Sequence, residues 1–227
     1  MSAEAEVYDV NFCFPVRELE SDKVKLTPLI PSLHTQAYWA GTKDHPGMYI
    51  HLPMAPFPSA AAFTDLINTR VQSDPSNIVF AVLDKTRADL PLAGLVGLLG
   101  TSPADLSTEL GWLVTLPAFQ RTHTTTHAVG LLLAYCLDLP EEGGLGLRRV
   151  QYRTHVLNGA SIRVAERFGF GFEMVQKATR AVEGKPKGEE GGWDVQGSLV
   201  TRMYALCWDD WEGGGRERLR ALLARTW

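Results

Sequence analysis

The sequence predicts an α+β domain: a central mixed, mostly antiparallel sheet of about seven strands, flanked by helices. Three observations lead there. Two continuous apolar runs of strand length, in NIVFAVLDK and LAGLVGLLGT, are separated only by turn material from Arg87 to Pro91, as in an antiparallel pair buried on both faces. RRVQYRTHV alternates, with Val150, Tyr152, Thr154 and Val156 on one side and Arg149, Gln151, Arg153 and His155 on the polar other. The elements follow one another as strand, two helices, three strands, helix, strand, helix and two strands, which is not a repeated strand–helix–strand array. A chain of 227 residues, 45% of them hydrophobic, supplies enough apolar material for one sizeable core.

Residues 1–22 show no sustained period and read as an N-terminal arm; the domain proper spans 23–208. Lys23 to Leu29 is the first strand, and a helix follows Pro31 and Ser32 to about Ala40. A loop rich in Pro, Gly and His, from Gly41 to Pro58, then leads to Ser59, a plausible N-cap. Phe63, Leu66, Ile67 and Val71 fall on one face at helical spacing, so Ala60 to Gln72 is an amphipathic helix ending before Pro75. After the two apolar strands, LSTELGWLVT is a third. Past Pro117 comes a helix with Val129, Leu132, Leu133, Cys136 and Leu137 on its apolar face. Asn158 caps a short helix to Arg167, Gly169 supplies the left-handed residue beyond its end, and Phe170 and Phe172 enter another strand. SLVTRMYALCW is the last strand. The Gly- and charge-rich run 183–197 is too long for a tight turn and reads as a mobile tip or a lid. The tail, 209–227, places Leu219, Leu222 and Leu223 on one face of a short helix that must dock somewhere.

Several function classes drop out. A net charge of −4 and a pI near 5.9 provide no basic field for nucleic acid or an anionic membrane. The opening MSAEAEVYDV lacks the features of a secretory signal, and no apolar run approaches the roughly 20 residues of a membrane helix, so a cytoplasmic protein is expected. Cys13, Cys136 and Cys207 form no CxxC pair. His123 and His127 share a helix face, but no third ligand or HExxH glutamate accompanies them, so no metal is expected.

Three motifs remain: TELGWLV, PAFQRTHTTTHA and NGASIRVAERFGF. Together, over roughly Lys23 to Trp208, they resemble the GCN5-related N-acetyltransferase (GNAT) superfamily and its RimJ/RimL subgroup. The resemblance implies the GNAT fold, acetyl-CoA as co-substrate and transfer of an acetyl group to a primary amine by direct attack. In that subgroup the turn before the helix reads Gln/Arg, two variable residues, Gly, one variable residue, then Gly or Ala. Here Gln120 is followed by Arg121, Thr122, His123, Thr124, Thr125 and Thr126, and both small positions are filled. Free N–H groups and the dipole of a helix start suit the CoA pyrophosphate; the side chains of His123 and Thr125 crowd its approach.

Other roles carried over by resemblance are Glu109 as the base that takes the amine proton and Ser161 as donor to the CoA sulfur. Asn158 is a cofactor contact, and the main chain of Trp112, Leu113 and Val114 pairs with pantetheine like an added strand. Each has a plainer reading: Glu109 as an exposed strand carboxylate, Ser161 as a first-turn helix residue, Asn158 as a cap alone. His155 is a second candidate base. The acceptor stays open between protein N-termini and small amines, and α-amines, titrating near 7.7–8.0 against about 10.4 for lysine, need less deprotonation. Trp39, Tyr49, Phe57 and Trp193 are candidates to border its groove. A homodimer is possible, and the alternative to an enzyme is a catalytically inactive GNAT-fold binding protein with a degenerate pyrophosphate loop.

Overall fold

A computed structural model describes residues 9–177 and 200–225. The two apolar runs do pair as a hairpin: β3 (Ile78–Asp84) lies antiparallel to β4 (Leu92–Ser102). Their lack of alternation has a simple cause, since both faces of the sheet are covered. Phe80, Val82, Val96 and Leu98 point into one core, while Val79, Ala93 and Leu95 point into the other.

Around this hairpin the sheet has eight strands in the order β1-β2-β3-β4-β5-β6-β8-β7. The remaining strands are β1 (Leu19–Glu20), β2 (Val24–Pro28), β5 (Ser107–Thr115), β6 (Arg149–His155), β7 (Gly171–Gln176) and β8 (Thr201–Cys207). Among the described strands only β5 and β6 pair in parallel. The strand beyond the expected seven is β1, inside the segment read as an arm, where Leu19 pairs with Leu26 and is 5% exposed. Two residues are too few to display a period, so the sequence carries no sign of it.

On one face lie α1 (Pro31–Thr42) and α2 (Ala60–Ile67); on the other lie α3 (Thr124–Leu137) and α4 (Gly159–Phe168). Pro31 opens α1 without losing a needed N–H, and Ser59 caps α2 by accepting from the Ala62 N–H at 3.1 Å. The helix predicted through Gln72 is α-helical only to Ile67 and continues as a π turn, Asn68–Gln72. Gly169 ends α4 at φ 84°. After the short α5 (Trp208–Asp210), α6 (Arg216–Leu223) docks Leu219 and Leu222 into the core against α3. No helix among the described residues is long and apolar enough to cross a membrane. The run 183–197 and Trp193 lie outside the described residues.

Candidate active site

The site is built where β5 changes partners. Along β4, Gly94 faces Thr115 and Leu95 faces Val114, but Gly97 faces Gly111, so Trp112 and Leu113 together oppose Val96. This is a β-bulge, and Trp112 takes a left-handed φ of 51° to make it. Glycine is required opposite: a Cβ on Gly94 would stand 2.3 Å from the Val114 carbonyl oxygen. On its other side β5 pairs with β6 from Ser107↔Arg149 to Leu110↔Tyr152. There the pairing stops, although β5 runs on to Thr115 and β6 to His155. The bulge twists β5 away just past the last shared rung, and the strand ends part. Main-chain groups of Trp112, Leu113 and Val114 lie on the parting side.

The chain then passes through a short helical turn, Pro117–Phe119, and Arg121 at φ 60° swings it into α3. His123 occupies the N-cap position, but its side chain accepts no hydrogen bond from the first turn. Its Nε2 lies 3.2 Å from Asp84 Oδ1 at the end of β3. The other filled position, Thr125, shares a hydrogen bond of 2.7 Å with the Thr115 hydroxyl. Both side chains expected to crowd the helix start are thus tied to strand ends. Thr122 accepts from the Thr124 N–H at 3.3 Å and donates to the Phe119 carbonyl at 2.6 Å, and Gln120 donates to the Thr115 carbonyl at 3.2 Å. Among the described residues, no acceptor takes the N–H groups of Thr125 and Thr126. Thr126 instead receives the Arg167 guanidinium from α4 on its hydroxyl, at 3.0 Å.

Asp84 was not foreseen. Its side chain is 3% exposed. Burial alone would raise its pKa, but bonds from the Thr86 hydroxyl and N–H, with the His123 imidazole beside it, outweigh burial and hold it below the ordinary carboxylate value. Asp84-Lys-Thr86 is a legible Asx turn, yet nothing local shows that its carboxylate meets a histidine 39 positions away. His127, one turn into α3, is fully buried and bonds Ser21 Oγ through Nδ1 at 2.8 Å; burial pushes its pKa down.

Glu109 is neither a free base nor an exposed strand carboxylate. Its side chain, 13% exposed, is gripped by Arg153 of β6, whose Nε stands 2.6 Å from Oε2 and whose Nη2 joins the same oxygen. Arg153 belongs to the polar side of the alternating strand, but the parallel neighbour that makes it a partner of Glu109 is set by topology alone. Ser161, third in α4, lies 2.6 Å from the Tyr152 hydroxyl, and its N–H is capped by Asn158 Oδ1 at 3.1 Å.

His155, placed by sequence on the polar side, is only 2% exposed because the His51 ring covers it, 4.8 Å between centroids. Its Nδ1 accepts from the Leu157 N–H at 3.1 Å, so that lone pair is engaged by the backbone. Tyr49, expected at a groove, is buried at 2% in an aromatic cluster with Tyr38, Phe57 and Phe63; Phe57 sits 4.9 Å from Phe63. Trp39 donates to the Phe57 carbonyl at 3.2 Å.

The family profile described as "Acetyltransferase (GNAT) domain" matches residues 23–171. The chain belongs to the GNAT acetyltransferase family. A GCN5-related N-acetyltransferase from Brucella melitensis is 27% identical, with a TM-score of 0.75 over 92% of this chain and 86% of that one. A probable GNAT-family acetyltransferase from Chromobacterium violaceum shares the fold at 24% identity, TM-score 0.75, over 93% and 96% of the two chains. The spermidine N-acetyltransferase from Vibrio cholerae, solved with CoA and spermine, shares it at 15% identity and TM-score 0.61, over 85% and 99%. No curated protein sequence matches the chain.

Proposed function

We propose that this GNAT protein is an N-acetyltransferase of RimJ/RimL type, moving an acetyl group from acetyl-CoA to a primary amine by direct attack. The observation that carries the reading is the parted end of β5 and β6, placed beside a helix start whose Thr125 and Thr126 N–H groups meet no acceptor among the described residues. A helix start with unmet N–H groups and a favourable dipole suits a pyrophosphate. The bulged main chain at Trp112, Leu113 and Val114 offers hydrogen-bonding edges for a pantetheine arm. Gln120, Arg121, Thr122, His123, Thr124, Thr125 and Thr126 line the turn that would hold the phosphates, and Asn158 at the start of α4 would be a further cofactor contact.

In the transfer, the amine nitrogen bonds to the acetyl carbonyl carbon, the C–S bond breaks and its electron pair goes to sulfur. Glu109, through its second oxygen or a water, takes the proton the nitrogen sheds. Arg153 holds that carboxylate in place, so the base is oriented before substrate arrives. Ser161 donates to the departing thiolate. The acceptor is a cationic amine, whether a protein N-terminus or a small amine: the net charge of −4 favours such a partner, and a relative of this fold acts on spermidine.

Calorimetric titration with acetyl-CoA and with CoA tests the reading, followed by CoA-release assays with spermidine and an N-terminal peptide. Binding in the micromolar range usual for enzyme substrates, and amine-dependent CoA release lost in Glu109→Gln, is the expected result. No binding by the wild type would favour a non-catalytic GNAT-fold protein.

A further inference from the structure

Tyr152 stands on the last shared rung of β5 and β6, opposite Leu110, immediately before the strands part. Its ring is 2% exposed, packed 5.4 Å from Phe170 and paired across β8 with Tyr204. From this vertex its hydroxyl reaches Ser161 Oγ at 2.6 Å. Ser161 is therefore held twice, by the phenol at its side chain and by Asn158 at its N–H.

The direction of the hydroxyl bond follows from acidity. A phenol is a far stronger acid than an aliphatic alcohol, so the shared hydrogen sits on Tyr152 and Ser161 Oγ accepts it. That occupies one lone pair of Ser161 and leaves the serine hydrogen to point elsewhere. We propose that Tyr152 is a positioning residue, which locks the Ser161 hydroxyl so that its O–H is presented to the sulfur departing from CoA. This rests on the acetyl-transfer reading and names a residue that the reading itself does not require.

Tyr152 keeps its own proton throughout. Burial pushes its hydroxyl up to about 12, against the lowering effect of the Ser161 bond. A thiolate derived from a thiol near 8.5 is too weak a base to take that proton through the serine. The proton shed by the nitrogen goes to Glu109 and from there to solvent, and the CoA thiolate takes its proton from solvent after it leaves. The pair thus contributes a hydrogen bond fixed in advance.

The test needs no acceptor. CoA itself is bound to the protein and the ultraviolet absorbance of its thiolate is followed against pH. In the wild type the bound thiol ionises below free CoA. Tyr152→Phe, which removes one oxygen, raises that midpoint by about one pKa unit, a tenfold loss of thiolate at fixed pH, with CoA affinity unchanged at a pH below both midpoints, where the bound group is the thiol. Ser161→Ala raises it at least as far, and the double variant no further than Ser161→Ala alone. A Tyr152→Phe titration that overlays the wild type, or two shifts that add, overturns the proposal and leaves the acetyltransferase reading standing. Failure of the wild type to bind CoA sinks both.

Discussion

Two helices begin beside the parted strands, and they begin in opposite ways. At α4, Asn158 reaches forward and closes the first turn on the Ser161 N–H. At α3 the N-cap residue, His123, turns sideways to Asp84, and although the Thr122 hydroxyl takes the Thr124 N–H, those of Thr125 and Thr126 meet no acceptor among the described residues. A helix start costs stability when its donors go unmet, and on the proposed acetyltransferase reading the open start is where the CoA pyrophosphate would bind. The closed start belongs to the scaffold that holds Ser161.

The contrast breaks most visibly if α3 is closed by charge. Thr125→Asp places a carboxylate in the first turn, where the dipole welcomes it. Thermal stability should hold or rise, while calorimetry shows acetyl-CoA affinity falling roughly a hundredfold, about 2.7 kcal/mol. The mirror-image change, Asn158→Ala, opens α4 and should cost about 1 kcal/mol of stability, read as a lower denaturation midpoint in urea. His123→Ala removes no cap and should cost α3 nothing of that kind.

Smaller effects come from pH. Asp84 titrates below its unfolded value, so the stability it contributes is present above the ordinary carboxylate range and is lost as pH falls through its lower folded value. Acid unfolding of Asp84→Asn should lack that limb. His127 also titrates low when folded, because burial disfavours the imidazolium. Its unfolded form binds a proton near 6.5, so stability falls as pH drops below that point towards the folded value, a shallow slope that His127→Phe should flatten in urea titrations.

Period made most of the fold legible. The unbroken apolar runs marked β3 and β4, and the spacing of Val129, Leu132, Leu133 and Cys136 marked α3, because burial imposes those patterns directly. The Ser59 and Asn158 caps were legible for the same local reason. What escaped depends on chain segments meeting from afar. Glu109 meets Arg153 across 44 positions, through a parallel pairing that no local signal encodes. Trp112 and Arg121 hold left-handed backbone without being glycine, so the bulge and the swing into α3 left no mark in composition.

The sheet's two borders are unequal. One ends in β1, only Leu19–Glu20, while the other ends in β7, Gly171–Gln176, with Phe172, Met174 and Val175 exposed. A border two residues long gives an incoming strand almost nothing to bond, so among the described strands growth by strand addition has a single direction open to it. An assembly that used the β7 border would stop at two copies if the described strands are its borders, because among them neither copy has a second long border from which a fibre could continue.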